Sequence, residues 1–257
     1  MAGSGRVALV TGGGRGIGRA ISLALAEDGI DVVVNYRKDQ DAAQETVAAI
    51  EGLGRKAIAV AGSVDRLEDD QALVDATIEA FGRLDILVNN GGIASRGQSV
   101  KNTDPAELER VLRTHALGPH ALCAAAIPHL REHERSDVIF ISSVATLGHA
   151  AGGGPYNMGK AAMEALALTL AAEERRHGVR VNIVAPGLVD TTMGQKLMKA
   201  VAGVDDIHQL DASMPFGRVC APEDIANVVR FLVSDGAAYV TGQKINVDGD
   251  AHRVPGA

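Results

Sequence analysis

Residues 142–160, SSVATLGHAAGGGPYNMGK, gather an alcohol, a phenol and an ammonium around a glycine-rich bend. Pro155 favours a helix start, and apolar spacing runs helically from residue 156 to about 176, so Tyr156 and Lys160 share one face. A phenol ionises near ~10, and moving it to about 7 needs roughly 4 kcal/mol of preferential phenolate stabilisation. An exposed ion pair supplies at most about 1 kcal/mol. A working pair therefore needs partial burial of the lysine charge, the helix N-terminus, or a cationic cofactor ring. Ser143 adds a hydroxyl for a substrate oxygen. Taken alone, Tyr-x-x-x-Lys also describes an ordinary solvated helix pair, so its meaning depends on the elements that position it.

The bounds on those elements come from the whole chain. Its 257 residues, 46% of them hydrophobic, suffice for one large α/β domain spanning 1–257. With no Trp and 3% aromatics, the core must be packed by Ala, Val, Ile and Leu, which suits buried parallel strands. A net charge of −7 argues against a nucleic-acid partner. Cys123 and Cys220 are too few for a disulfide framework, and Cys123 lies in an alanine-rich helical run that reads as core. No signal-type segment or long apolar run occurs, so a soluble protein of the reducing cytoplasm, without membrane contact, is expected.

The run RVALVT (6–11) reads as a buried strand that enters GGGRGIGRAISLALAEDG, a glycine-rich turn followed by an amphipathic helix. Gly12, Gly16 and Gly18 would let the backbone turn sharply and admit a pyrophosphate to the helix N-terminus. No Gly-Lys-Ser/Thr ending follows, so a dinucleotide fits better than a nucleoside triphosphate. The second strand, 31–35, ends in Asn35, Tyr36 and Arg37, without the carboxylate that would bind both ribose hydroxyls of NAD. Arg15 and Arg37 are instead placed for a 2′-phosphate, which predicts a preference for NADP(H) over NAD(H). Further strands are expected at 56–61, DILVNN, 137–142, 179–185 and 243–247, separated by helices near 42–53, up to 81, from 104, after 156 and at 222–234. The rhythm predicts a doubly wound, Rossmann-like parallel sheet of about seven strands with helices on both faces and ligands at the carboxyl ends of the strands.

TGGGRGIG at 11–18, NNGG at 89–92, Ser143, the Tyr156 and Lys160 pair, APG at 185–187 and the closing VTGQKINVDG occur in this order across nearly the whole chain. Together they resemble the short-chain dehydrogenase/reductase family, with 3-oxoacyl-(acyl carrier protein) reductases as the nearest branch. The resemblance implies hydride exchange between a nicotinamide and a carbonyl carbon, Tyr156 protonating the carbonyl oxygen, Ser143 binding it, and Lys160 holding the ribose and lowering the phenol pKa. It also implies a cofactor site built from Thr11, Gly12, Arg15, Gly16, Ile17, Gly18, Tyr36, Arg37, Ser63, Val64, Asn89, Asn90, Gly91, Tyr156, Lys160, Pro186, Gly187, Val189 and Thr191. Three positions depart from the family pattern. Ser63 stands where an Asp usually contacts the adenine, and Gly91 replaces an Ala, which is expected to loosen its loop. His115 occupies the place of an Asn that holds a water linking the catalytic Lys to solvent, so it is expected to join the proton relay and to add an ionisation to the pH profile; the alternative is a His115 turned away and hydrogen-bonded in the helix packing.

The family implies a homotetramer, and the alanine-rich stretches 115–127 and 161–172 suit close helix packing. The expected substrate is a small-molecule carbonyl or acyl thioester. If it is carried by acyl carrier protein, Arg131, Arg175 and Arg176 are candidate contacts for that acidic partner. Residues 188–218, with Met193, Leu197, Met198 and Val201 along one face, form either a substrate lid or a piece of core. Two rival functions compete with this reading. His129, Glu132 and His133 match an inverted zinc-protease pattern, but the run ends a crossover helix away from the cofactor edge, and no metal site is expected. A non-catalytic dinucleotide-binding redox sensor is the alternative that the His115 change keeps open.

Overall fold

In the computed structural model, which describes residues 5–253, seven strands form one parallel sheet in the order β3-β2-β1-β4-β5-β6-β7. They are β1 (Val7–Val10), β2 (Asp31–Tyr36), β3 (Ala57–Ala61), β4 (Ile86–Asn89), β5 (Ser136–Ile141), β6 (Val179–Pro186) and β7 (Lys244–Val247). Interleaved with them run α1 (Gly16–Glu27), α2 (Gln40–Gly52), α3 (Leu67–Phe81), α4 (Pro105–Leu112), α5 (Gly118–Leu130), α6 (Ala145–Gly148), α7 (Gly154–Glu174), α8 (Thr192–Ala202) and α9 (Pro222–Val233). The doubly wound expectation holds.

The central strands are buried on both faces because they alternate between two cores. Ala8, Val10, Ile86, Val88 and Ile139 face one cluster with α1, α2 and α9, while Leu9, Leu87, Val138 and Phe140 face the other with α3, α5 and α7. Strand order reverses between β1 and β4, which opens a crevice beyond their carboxyl ends. The glycine-rich turn, the loop after Asn89, Ser143 and Pro186 all end strands on that rim.

Two elements differ from the sequence expectation. The helix after Asp104 is not continuous: a π-helical turn, Arg113–Leu117, joins α4 to α5 and carries His115 inward. Residues 188–218 do not join either core cluster as a block. Within α8, Met193, Leu197 and Val201 are exposed, so the apolar face is turned to solvent, and only Ile207 of the following 3-10 segment is deeply buried.

Candidate active site

The site grows from the end of β5. Lys160 sits one turn after Tyr156 on α7, is buried, and donates to the Ile141 carbonyl at 2.7 Å. Its ammonium lies 5.7 Å from the centre of the Tyr156 ring. The Ser143 hydroxyl hydrogen-bonds Tyr156, and the Ala145 N–H donates to Ser143 Oγ at 3.2 Å. His115 meets the Tyr156 ring edge-on, with centroids 5.4 Å apart and planes at 82°. Ser143, Tyr156, Lys160 and His115 thus converge from β5, α7 and the π turn.

Electrostatics correct one expectation. Burial pushes the Tyr156 phenol up, and only the Ser143 hydrogen bond pulls it back. The Lys160 ammonium is directed to the Ile141 carbonyl rather than the phenol oxygen, so its through-space charge does not outweigh burial. Tyr156 is therefore protonated at neutral pH, the form that can donate to an oxygen. Lys160 itself is pushed down to about 7 by burial, against the opposing charge of Glu164.

His115 corrects another. Its Nε2 lies 2.8 Å from the Ile93 carbonyl and 3.3 Å from the Ile93 N–H, and the shorter contact assigns the proton to Nε2. Nδ1 is then an acceptor, buried and without a partner. Burial first and Lys160 second push the imidazole down to about 3, so His115 is neutral at working pH and contributes no ionisation there. Gly92 makes room for it: a Cβ at residue 92 would stand 2.8 Å from His115 Cε1.

The glycine turn fits a pyrophosphate. Gly12 and Gly16 have φ of +61° and +51°, and a Cβ on Gly18 would lie 2.1 Å from the Gly12 carbonyl. Arg15 at the N-cap of α1 makes no capping bond through its side chain, and no acid occupies the first turn, so the helix N-terminus remains open to an anion. Exposed Arg15 flanks this turn. Ile17 and Tyr36 are half-buried, and exposed Arg37 follows Tyr36 on β2. Arg37 lines a shallow groove with Lys38, Ala61, Gly62, Ser63, Arg66 and Asp69. Three cations and one carboxylate there suit a phosphomonoester.

Several of the expected cofactor-site residues also hold the scaffold. Thr11 Oγ1 accepts from the Asn90 and Gly91 N–H groups at 2.9 and 2.8 Å, and Asn90 Nδ2 donates to the Thr11 carbonyl at 2.8 Å. The Gly91 loop is tied down by these bonds rather than loosened. Asn89 is buried and points its amide at Cys123 Sγ. The Thr191 hydroxyl caps α8 at Gly194 N, Val189 bridges to Cys220, and the Gly187 N–H donates to the Val247 carbonyl. Pro186 ends β6 on the rim. Ser63 Oγ donates to Asp65 at 2.6 Å and its N–H to Asp69, with Val64 beside it. Carboxylates are therefore present at that loop although not at position 63.

Sequence reasoning missed Asn35, which accepts from Gly12 N and donates to the Gly62 carbonyl, joining the glycine turn to β3. It also missed Lys38, Arg66 and Glu164. A buried Asn closing a strand, and charges one turn from a catalytic Lys, were the available signals. His129 and His133 diverge, to Glu132 and Asp85 respectively. Arg131 is held by Glu174 and lines, with Arg175 and Arg176, a depression at the far end of α7, roughly 25 Å along the helix from Tyr156.

The sequence pattern of the family described as enoyl-(acyl carrier protein) reductase matches residues 12–252. A 3-oxoacyl-[acyl-carrier-protein] reductase of Synechocystis sp. is 39% identical over 246 residues, 95% of this chain and 96% of that protein. The chain belongs to the short-chain dehydrogenase/reductase family. Another relative, 3beta-hydroxysteroid dehydrogenase 1 of Eggerthella lenta, is 37% identical, covering 98% of this chain and 95% of its own. The crystal structure of a short chain dehydrogenase from Burkholderia cenocepacia in complex with NADP superposes with a TM-score of 0.86 at 36% identity, covering 95% and 97% of the two chains. As a member of this oxidoreductase family, the protein acts between hydroxyl and carbonyl groups with a nicotinamide cofactor. Among the described residues no helix is long and apolar enough to cross a membrane.

Proposed function

We propose that the protein is an NADP(H)-dependent reductase of apolar ketones, reversible as a secondary alcohol dehydrogenase. The observation that carries this is the meeting of a protonated Tyr156 with Ser143 and Lys160 beyond an anion-ready glycine turn. When bound, the nicotinamide supplies or accepts the hydride. The chain supplies the rest. Ser143 and Tyr156 present two hydroxyls to one carbonyl oxygen, orienting it and polarising its bond. Tyr156 gives that oxygen its proton as negative charge develops there. Lys160, near its midpoint at neutral pH, can return a proton toward the phenol and hold a ribose hydroxyl. His115 offers Nδ1 as a neutral acceptor beside the ring, a place for a relaying water.

The cofactor preference is supported by Arg15, Arg37, Lys38 and Arg66 and by the missing strand-end carboxylate. An apolar substrate is supported by exposed Val100, Leu147, Met193 and Leu197, carried by the loop and helices around the site, and by the steroid-dehydrogenase relative. Residues 188–218 would close over it as a lid. The far placement of Arg131, Arg175 and Arg176 supports a free carbonyl compound over one tethered to a carrier protein. The sensor alternative draws no support from the converged site or from the relatives. A panel of ketones and a pantetheine-linked 3-oxoacyl thioester, each with NADPH and NADH, tests the reading: a ketone turned over faster with NADPH is expected, and equal kcat/KM with both cofactors overturns the preference.

A further inference from the structure

A charged network stands behind the catalytic residues. Glu164 follows Lys160 by one turn on α7, and its carboxylate pairs with Lys244 of β7 at 2.8 Å, both side chains largely buried. Glu164 Oε1 accepts from the Ser142 hydroxyl at 2.5 Å and from Thr146 Oγ1 at 2.9 Å. Lys244 Nζ also donates to Thr146 Oγ1 at 2.6 Å. Thr146 shares its hydroxyl proton between Glu164 and the Ser143 carbonyl, 3.0 Å away. One carboxylate therefore grips the residue before Ser143 and the residue that holds the Ser143 backbone.

Next along the strand, the Ile141 carbonyl receives the Lys160 ammonium. Ile141, Ser142 and Ser143 are consecutive, so a carboxylate that fixes Ser142 fixes both the Lys160 acceptor and the Ser143 hydroxyl. β7 brings Lys244 to this place by pairing beside β6, with Lys244 opposite Ile183. Among the described residues the titratable and charged groups around Lys160 are Tyr156 and Glu164 on its own helix, His115 from the π turn, and Lys244 behind Glu164. Glu107 of α4 is engaged by Arg96.

We propose that Glu164, clamped by Lys244, is a positioning residue of this active site: it holds the Ile141–Ser143 corner in register with Tyr156 and supplies the counter-charge to Lys160. The proposal rests on the reductase reading for its kinetic consequence, though not for its electrostatic one. Glu164 raises the affinity of Lys160 for its proton. Neighbours one turn apart, at an effective dielectric near 20, influence each other by roughly one to two pH units, and Lys244 offsets part of this. Glu164→Gln should therefore lower the Lys160 titration midpoint by roughly one pH unit. Lys244→Met, which frees the same carboxylate from its partner, should raise it.

The test is an NMR titration of full-length protein labelled at lysine Cε, with the Lys160 signal identified by its loss in Lys160→Met. It needs no substrate, so its outcome is independent of whether a ketone is ever turned over. Opposite displacements of the Lys160 midpoint in Glu164→Gln and Lys244→Met are expected. On a ketone substrate, Glu164→Gln should also lower kcat about tenfold with substrate KM within twofold, since Ser143 is displaced while the lid is untouched. An unmoved midpoint in Glu164→Gln, or displacement in the same direction in both variants, overturns the proposal, as does a purely thermal defect with the midpoint unchanged.

Discussion

Replacing Asp70 by Asn should stabilise the protein, by an amount that grows with pH. Asp70 lies in the first turns of α3, fully buried, and neither carboxylate oxygen has a hydrogen-bond partner. Burial first, then Asp69, Asp65 and Glu68, push it up to about 8 from an ordinary 3.8. Between those values the folded chain keeps a proton that the unfolded chain has released, so stability falls as pH rises from about 4 to about 8 and is level beyond. At 1.36 kcal/mol per pH unit the full displacement is worth about 6 kcal/mol, which water penetration and local relaxation reduce to about 2–3 kcal/mol. Asn reproduces the shape of the protonated carboxyl without this penalty. For a chain of this size the gain corresponds to roughly 5–10 °C in Tm at pH 8, shrinking towards zero near pH 4. Thermal melts followed by far-UV circular dichroism from pH 5 to 9 read it directly. A Tm difference that does not vary with pH, or an Asn variant less stable at pH 8, would refute the reasoning.

Arg37→Asp should reverse the cofactor preference by ten- to a hundredfold in kcat/KM, by removing a phosphate partner and installing a like charge; an unchanged ratio would assign the 2′-phosphate elsewhere. His115→Asn should keep the ionisation near pH 7 in kcat, because that group is Lys160 and His115 titrates near 3. Loss of that limb would move it to the imidazole. Gly92→Ala should impair the wild type by crowding His115 Cε1 and do less harm in the His115→Asn background, which a double-mutant cycle measures. Exposed Leu117, Met158 and Leu168, with Phe231 and Tyr239 on another face, should be covered in a homo-oligomer, and a monomeric mass by light scattering would contradict this.

The strand rhythm made the sheet legible because buried parallel strands are continuous apolar runs, and the glycine turn could be placed because only its position between strand and helix admits a phosphate. Ser143, Tyr156 and Lys160 were legible by type and spacing. What spacing cannot give is direction. Thr11, Asn89 and Asn90 read as cofactor-site residues, and their hydroxyl and amide groups also tie the ends of β1 and β4 to their surroundings, because the N–H groups of the loop after β4 must be satisfied there. His115 read as a titrating relay, but the π turn that buries it also removes its charge. Glu164 and Lys244, 80 residues apart, form a pair that only the β6–β7 ladder brings together.

The central claim is that the chief role of Tyr156 is to deliver the proton to a substrate oxygen, with any contact it makes to the cofactor secondary. Single-turnover oxidation of bound NADPH by a ketone, compared between wild type and Tyr156→Phe, tests it most directly when paired with cofactor affinity measured by fluorescence. The expected result is a fall in the chemical step of at least about a hundredfold, with NADPH affinity changed by less than about threefold. A Phe variant that reduces the ketone at a comparable rate, or that loses NADPH instead, would contradict the account.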